Sequence, residues 1–387
     1  MIDISSTLRW LIDGARSATS PRDTLAQLCE RLVESGIRLD RAGVYVQTLH
    51  PNIMGWAFRW RPGVEVEVAE APNEMRGTDV YQLSPIARLR VTPSPIRRGL
   101  ADPACPLDFP VLKDLRQEGF TDYFCAPLIF NNGEIHAASW STKTPGGFSA
   151  AEIAGLDAIH PPFARVAEIW ALRRIATTLL DTYVGRQTGA RVMAGHIQRG
   201  DIETIEAVIW LSDLRDFTPM TDNLPPPEVI ARLNRFFDGQ APAIHEKGGE
   251  VLKFVGDGLL AIFPVANGNP AKACEAALHA VFATQASLAE TAQDLRYGLA
   301  LHVGQVAYGN IGSGDRLDFT CIGPAINMAA RLEKLSAEAR RPVVASQAFA
   351  SHVPGDFIHL GDFTLKGFEG RHPVYGLGNH RLHEGRI

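Results

Sequence analysis

Hydrophobic and polar positions along this chain follow two rhythms, and the changes of rhythm mark out its parts. Residues 42–49 (AGVYVQTL), 54–60 (MGWAFRW) and 64–69 (VEVEVA) are short runs rich in β-branched and aromatic residues, which predict strands. Residues 121–130 (TDYFCAPLIF) and 134–142 (EIHAASWST) flank Asn131-Asn132-Gly133 and predict a hairpin. Ahead of them, Ser20-Pro21 opens a helix over 24–35 that ends at Gly36, with serine as N-cap and proline at the first helical position. Behind them, Ser149 and Glu152 have capping-box spacing in 148–160 (FSAAEIAGLDAIH).

From about Pro162 to Val192 the period is helical, and Leu172, Ile175, Leu179 and Tyr183 fall on one apolar stripe. That stripe fits a helix packed on its own domain or a parallel coiled coil between two protomers, and its length does not choose between them. Gly185, Gly189, Gly195 and Gly200 then interrupt the pattern and place a boundary near 185–203. Beyond it the elements run as a strand at 204–214, whose apolar run ends in Asp213, and a helix over 228–248 after Pro225-Pro226-Pro227. A hairpin over 251–263, a helix over 270–293 and a strand over 296–309 follow. A glycine-rich turn, GNIGSG at 309–314, leads to a strand at 316–323, a helix over 325–339, and more strand within 342–346 and 363–377. The order β-α-β-β-α-β with extensions is the split βαβ, or ferredoxin-like, arrangement. The expected fold class is therefore α/β (α+β) throughout.

Composition adds bounds. A chain of 387 residues holds two or three ordinary domains. A formal net charge of −5 argues against a general binder of nucleic acid or anionic membrane, which would show a basic face. Cys29, Cys105, Cys125, Cys274 and Cys321 are dispersed and form no C-x-x-C pair, which fits reduced thiols better than a disulfide framework or zinc site. The most apolar helical stretch, residues 163–180, carries Arg165, Glu168, Arg173 and Arg174, too many charges for a bilayer core. The first residues are acidic where a signal peptide would be basic, so no membrane span and a cytoplasmic location are expected.

The candidate chemistry starts at 251–263, VLKFVGDGLLAIF. A Gly-Asp-Gly turn between apolar runs is an ordinary hairpin, and Lys253 in its first strand is an ordinary edge charge. The ferredoxin-like order changes this, because it sets the end of the first strand, with Asp213, beside the turn that carries Asp257. Two carboxylates there hold hard divalent cations, which prefer oxygen ligands. Asn327 and Arg331 are four apart and share a helix face. Arg331 suits a phosphoryl group, although Glu333 and Asp318 offer it plain surface partners. Lys366, beside a turn, reaches a polyphosphate or is simply solvated. GNIGSG offers backbone amides to phosphate. No G-x-x-x-x-G-K-[ST] sequence occurs, which argues against a P-loop NTPase.

Together, WLSDLRDFTPMT, GGEVLKFVGDGLLAIF, GLALHVGQVAYGNIGSGDRLDFTCIGPAINMAARLE and LKGFEGRHPVYGL resemble the catalytic domain of class III adenylate/guanylate cyclases, in the family's order and over about half the chain. The resemblance implies conversion of ATP or GTP to the 3′,5′-cyclic nucleotide and pyrophosphate, with two Mg²⁺ or Mn²⁺ ions per site held by Asp213 and Asp257. It adds the carbonyl of Leu214 as a metal ligand. It places the amides of residues 215–218, Phe217 and Thr218 among them, against the phosphates. It implies that Lys253 and Thr320 read the base, in a combination that favours ATP. Asn327 would orient the ribose, Arg331 would stabilise charge at the α-phosphate, and Lys366 would bind the terminal phosphates, with Arg316 a further candidate there. Asp216 departs from the family, which usually has glycine at that point. The resemblance also implies a homodimer with shared active sites, in which the aspartates come from one protomer and the remaining groups from the other.

The N-terminal part resembles a GAF sensor domain in AGVYVQTL, SPIARLRVTPSPI, FCAPLIFNNGEIHAASWS and GGFSAAEIAGLDAI. The expected organisation is a GAF-like regulatory domain over 1–161 with an unidentified small-molecule or signal ligand, a helical signalling linker over 162–200, and a cyclase domain over 201–387. Trp56, Trp60 and Trp140 would line a pocket or a core there. A guanylate cyclase, or a silent module that binds nucleotide without turnover, are the alternatives.

Overall fold

The computed structural model describes residues 2–314 and 316–378, so Asp315 and the tail of the expected 201–387 domain lie outside the described residues. The chain divides into two compact units, Met1–Leu179 and Leu180–Ile387.

The first unit runs α1 (Ser5–Ile12), α2 (Pro21–Glu34), β1 (Arg41–Gln47), β2 (Ile53–Arg61), β3 (Val64–Pro72), α3 (Asp79–Gln82), α4 (Pro85–Val91), β4 (Ile96–Arg98), α5 (Pro110–Gln117), β5 (Asp122–Ile129), β6 (Ile135–Thr142) and α6 (Ala150–Val184). The strands form one antiparallel sheet in the order β3-β2-β1-β6-β5-β4. Alternate residues of each strand feed opposite faces. Phe124, Ala126 and Leu128 join a core with α2 and α6, while Tyr123 and Cys125 join one with Leu89 of α4 and Leu112 of α5. Ser20 Oγ accepts from the Asp23 amide, capping α2. Ser149 and Glu152 bond reciprocally ahead of α6.

α6 departs from the two helical stretches expected around Pro162. It is one helix of 35 residues with Pro161 and Pro162 inside it. Pro161 has no N–H to give the Asp157 carbonyl four residues back. The next residue back, His160, is buried and fixed from the sheet, where Trp140 Nε1 donates to His160 Nε2 at 3.0 Å. Phe163, Ala164 and Val166, expected in the linker, pack in the first unit's core.

The second unit runs α7 (Arg186–Met193), β7 (Ile202–Leu214), α8 (Phe217–Asn223), α9 (Pro226–Asp238), α10 (Ala241–Glu246), β8 (Glu250–Val255), β9 (Gly258–Pro264), α11 (Pro270–Thr291), β10 (Tyr297–Ser313), β11 (Arg316–Ile322), α12 (Pro324–Glu338), β12 (Val343–Ser346), α13 (Gln347–Ala350), β13 (Phe357–Phe363) and β14 (His372–Leu377). Its sheet has the order β13-β14-β12-β10-β7-β9-β8, with β11 paired to β10. The central β10-β7-β9-β8 run is the split βαβ order, and it places the C-terminal end of β7 beside the β8–β9 turn, through the pair Ser212 and Leu259.

Two expectations fail here. The helix expected over 228–248 is broken into α9 and α10 at Gly239-Gln240. A side chain at 239 would run into Leu288 of α11. The break also brings the buried Gln240 amide under β7, where its Oε1 accepts from Trp210 Nε1 at 3.2 Å and Ser212 Oγ at 2.6 Å. GNIGSG is strand up to its last residue, and only Gly314 is turn. Gly309 to Ser313 continue β10 and pair with β11, from Gly309 opposite Thr320 to Ser313 opposite Arg316. Its glycines admit close strand backbone: a Cβ at 309 would strike the Asp201 carbonyl, and one at 312 the Arg316 carbonyl. This backbone is committed to a ladder, which removes the proposed phosphate cradle.

Candidate functional site

Asp213 stands near the end of β7 and Asp257 at the tip of the β8–β9 hairpin, close enough for the charge of one carboxyl to act on the other. Gly256 turns the hairpin with a left-handed φ of 63°. Gly258 leaves the room: a Cβ there would lie 3.0 Å from Ser212 O and 3.1 Å from Asp213 Oδ1. Burial, and then the charge of Asp257, push the Asp213 carboxyl up to about 7. Two crowded hard-oxygen donors are the chemistry a divalent cation satisfies. Among the described residues no cluster of three or more His, Cys, Asp or Glu is arranged to hold a metal.

The turn after β7 explains the unusual Asp216. Its φ is 60°, in the left-handed region that glycine adopts freely and that Asp tolerates better than most side chains. Its carboxylate ion-pairs with Arg296. Phe217 packs with Leu214, Phe236 and Leu288, and Thr218 is exposed.

On β8, Lys253 Nζ lies 2.6 Å from Asp318 Oδ2 of β11. Asp318 and Thr320 are two apart and share a strand face. Cys321, next to Thr320, faces an apolar cluster with Phe319, Leu252 and Ala329. On α12, Asn327 is exposed and Arg331 half-buried. Arg331 Nε donates to the Lys366 carbonyl at 2.9 Å. The surface partners expected for Arg331 are engaged elsewhere, Asp318 with Lys253 and Glu333 with Arg215.

Arg215, Glu333 and Ser336 were not anticipated as a group. Arg215 Nη2 donates to the Glu333 carbonyl at 3.0 Å, lies 3.0 Å from Glu333 Oε1, and bonds Ser336 Oγ. The network occupies the space over Gly298, the strand partner of Asp213, where a Cβ would come within 2.5 Å of Ser336 Oγ. It ties the turn after β7 to α12. Burial raises Glu333, and the charge of Glu333 in turn adds to the upward push on Asp213. The signal in the sequence was Gly298 alone, a glycine early in a strand.

Within one chain the structure therefore brings Asp213 to Asp257, Lys253 to Asp318, and Arg331 to the Lys366 backbone. It does not bring these groups to one point. Glu333 faces the aspartates, and Arg331, two residues earlier, is turned by about 200° around α12.

Residues 201–377 match the family model for the adenylate and guanylate cyclase catalytic domain. An uncharacterized protein of Mycobacterium tuberculosis (strain CDC 1551 / Oshkosh) is 31% identical over 213 residues, 54% of this chain and 38% of that protein. An adenylate cyclase of Anabaena cylindrica is 31% identical over 153 residues, 36% of this chain and 29% of that one. Among solved structures, the adenylyl cyclase CyaB from P. aeruginosa is 23% identical with a TM-score of 0.43, covering 48% of this chain and 99% of that chain. The chain spans less than two-fifths of the length of the curated relatives named here.

Proposed function

Because residues 201–377 are a class III adenylate/guanylate cyclase catalytic domain, we propose that this chain converts ATP to 3′,5′-cyclic AMP and pyrophosphate. In that reaction the ribose 3′-oxygen bonds the α-phosphorus, the bond to the β-phosphate oxygen breaks, and the 3′-hydroxyl proton is released. Asp213 and Asp257, with the Leu214 carbonyl, fit Mg²⁺ or Mn²⁺, and a bound pair of ions would make the 3′-hydroxyl a better nucleophile and hold the triphosphate. Asn327 orients the ribose. The Arg331 guanidinium, once it leaves the Lys366 carbonyl, donates to the α-phosphate as charge builds. Lys366 and the amides of residues 215–218, those of Phe217 and Thr218 included, take the outer phosphates.

The observation that carries ATP over GTP is Lys253, an ammonium held by Asp318 on the strand face that also bears Thr320. An ammonium donates to adenine N1, and the Thr320 hydroxyl accepts from the adenine amine. The named adenylate cyclase relative of Anabaena cylindrica agrees with that choice.

The site is shared between two copies of the chain. Arg331 and Glu333 look to opposite sides of α12, so one protomer's Asn327 and Arg331 meet the partner's aspartates more readily than their own. Leu172, Leu179 and Tyr183, exposed at 57%, 40% and 81% on α6, offer an apolar stripe for the same pairing. The first unit is a GAF-like regulatory domain, a reading supported by its six-stranded antiparallel sheet with helices on both faces.

The test is product analysis by mass spectrometry with ATP or GTP, in Mg²⁺ and in Mn²⁺. Cyclic AMP from ATP, abolished in Asp257→Ala, is the expected result. Cyclic GMP as the main product, or no cyclic nucleotide under any condition, overturns the proposal.

A further inference from the structure

The first unit holds a cavity of about 430 Å³ between the sheet and the helices α2 and α6. Val46, Phe58 and Val68 line its sheet side, and Phe163, Ala167 and Trp170 its α6 side. It exists because α6 turns two alanines, Ala167 and Ala171, one turn apart, toward the sheet. Protein interiors rarely keep voids larger than a water molecule. This one is well above the roughly 150 Å³ of a dry cavity that takes benzene, and within the roughly 300–1,000 Å³ of small-molecule sites.

Its rim carries charge of one sign. Of the lining residues only Arg22 and Arg174 are exposed. Arg22 is paired with Glu65. The Arg174 guanidinium lies 4.5 Å over the ring of Trp56, another lining residue, and has no carboxylate partner among the described residues. An apolar, aromatic interior beneath an unpaired guanidinium fits an amphipathic anion.

We propose that this cavity binds an aromatic carboxylate, with its rings between Phe58, Phe163 and Trp170 and its carboxylate on Arg174. The inference gives the N-terminal unit a ligand class and rests on the cavity, not on the cyclase assignment. It also places the ligand against α6, the helix that continues to Val184.

The test is calorimetric titration of the full chain with 2-naphthoate and with its uncharged counterpart, 2-naphthylmethanol. Saturable binding of one naphthoate per chain is expected. Arg174→Gln should weaken naphthoate by about tenfold or more, as expected for a charge-assisted hydrogen bond, and leave the alcohol within about twofold. Ala171→Trp, which fills the cavity from the helix, and Val44→Phe, which fills it from the sheet, should abolish binding of both. Absence of saturable naphthoate binding overturns the proposal. So does equal weakening of acid and alcohol in Arg174→Gln, or unchanged affinity in either filled variant that melts cooperatively. Arg174 is exposed, so its variant decides the matter even if both filled variants fail to fold.

Discussion

At the scale of single residues, Lys253 tests the choice of base. Its ammonium is 30% exposed beside Asp318 on the sheet edge. Lys253→Ala should lower kcat/KM for ATP by on the order of 10²-fold, the cost of leaving a buried base edge unpaired, and change turnover of GTP much less. Steady-state kinetics with both nucleotides checks this, and an equal loss on both would make Lys253 a structural residue. Asp216 tests the departure from the family. Its left-handed φ of 60° costs an L-residue on the order of 1 kcal/mol, and its ion pair with Arg296 is exposed and worth little. Asp216→Gly should therefore leave the melting temperature unchanged or slightly raised and keep cyclase activity. A large loss of stability would mean that the Arg296 pair holds the turn. The glycine-to-aspartate departure was legible in the sequence. Its physical reason was not, because a φ angle is set by how β7 hands over to α8. Arg215 and Glu333 were hidden for a related reason: a guanidinium and a carboxylate 118 residues apart carry no local pattern, and only the pairing of Gly298 with Asp213 shows why both are there.

At the scale of elements, local signals served best where a period or a cap decides the structure. The capping box at Ser149, the Ser20-Pro21 start and the Asn131-Asn132-Gly133 hairpin are of this kind. They misled where tertiary partners replaced what the local sequence lacked. Proline at 161 and 162 reads as a break, yet α6 runs through, held on both sides of the prolines by core packing of Ile159, Phe163, Ala164 and Val166 and by the Trp140–His160 bond. The buried imidazole has a pH signature. Burial lowers the imidazole of His160 from 6.5 to about 4, and does the same to His136, whose Nδ1 accepts from the Gln47 amide. The unfolded chain thus takes up these protons at a higher pH than the folded one. Their contribution is whole above about 6.5 and is lost as pH falls toward 4, by up to a few kcal/mol per histidine. The melting temperature of the first unit should drop across that window, and His160→Asn should flatten the drop. A pH-independent transition would show that the imidazole is not held neutral. α7 offers a second case. Thr188 N and Oγ1 donate to Glu250 Oε1 at 3.0 Å each, and Tyr308 donates its hydroxyl proton to Oε2 at 2.8 Å. This buried carboxylate fixes the segment that enters the catalytic unit onto β8, three residues from Lys253. Glu250→Ala leaves those donors unpaired and should cost on the order of 3 kcal/mol, read as a lowered midpoint in chemical denaturation. A shift below about 0.5 kcal/mol would mean that α7 is not anchored through it.

At the scale of the whole molecule, the question is whether one chain can be a complete catalyst. α12 presents Glu333 toward Asp213 and Asp257, and presents Asn327 and Arg331 on another side. The Arg215 network locks that helix to the β7 turn, so rotating α12 to bring Arg331 to its own aspartates would break bonds to Glu333 and Ser336. A second copy would solve the geometry without any such change, if a two-fold pairing set each protomer's α12 against the other's β8–β9 hairpin. This makes a quantitative prediction. Asp257→Ala and Arg331→Ala should each be nearly inactive as homodimers. Mixed in equal amounts and allowed to exchange, half of the dimers are mixed, and each mixed dimer has one site with both residues intact and one with neither. Cyclase activity should therefore recover to about a quarter of the wild-type value at the same total concentration. Recovery should fade on dilution below the dimer dissociation constant. If each chain instead carried its own complete site, no mixture would contain an intact one, and activity would stay at the sum of the two inactive parents whatever the ratio or the concentration.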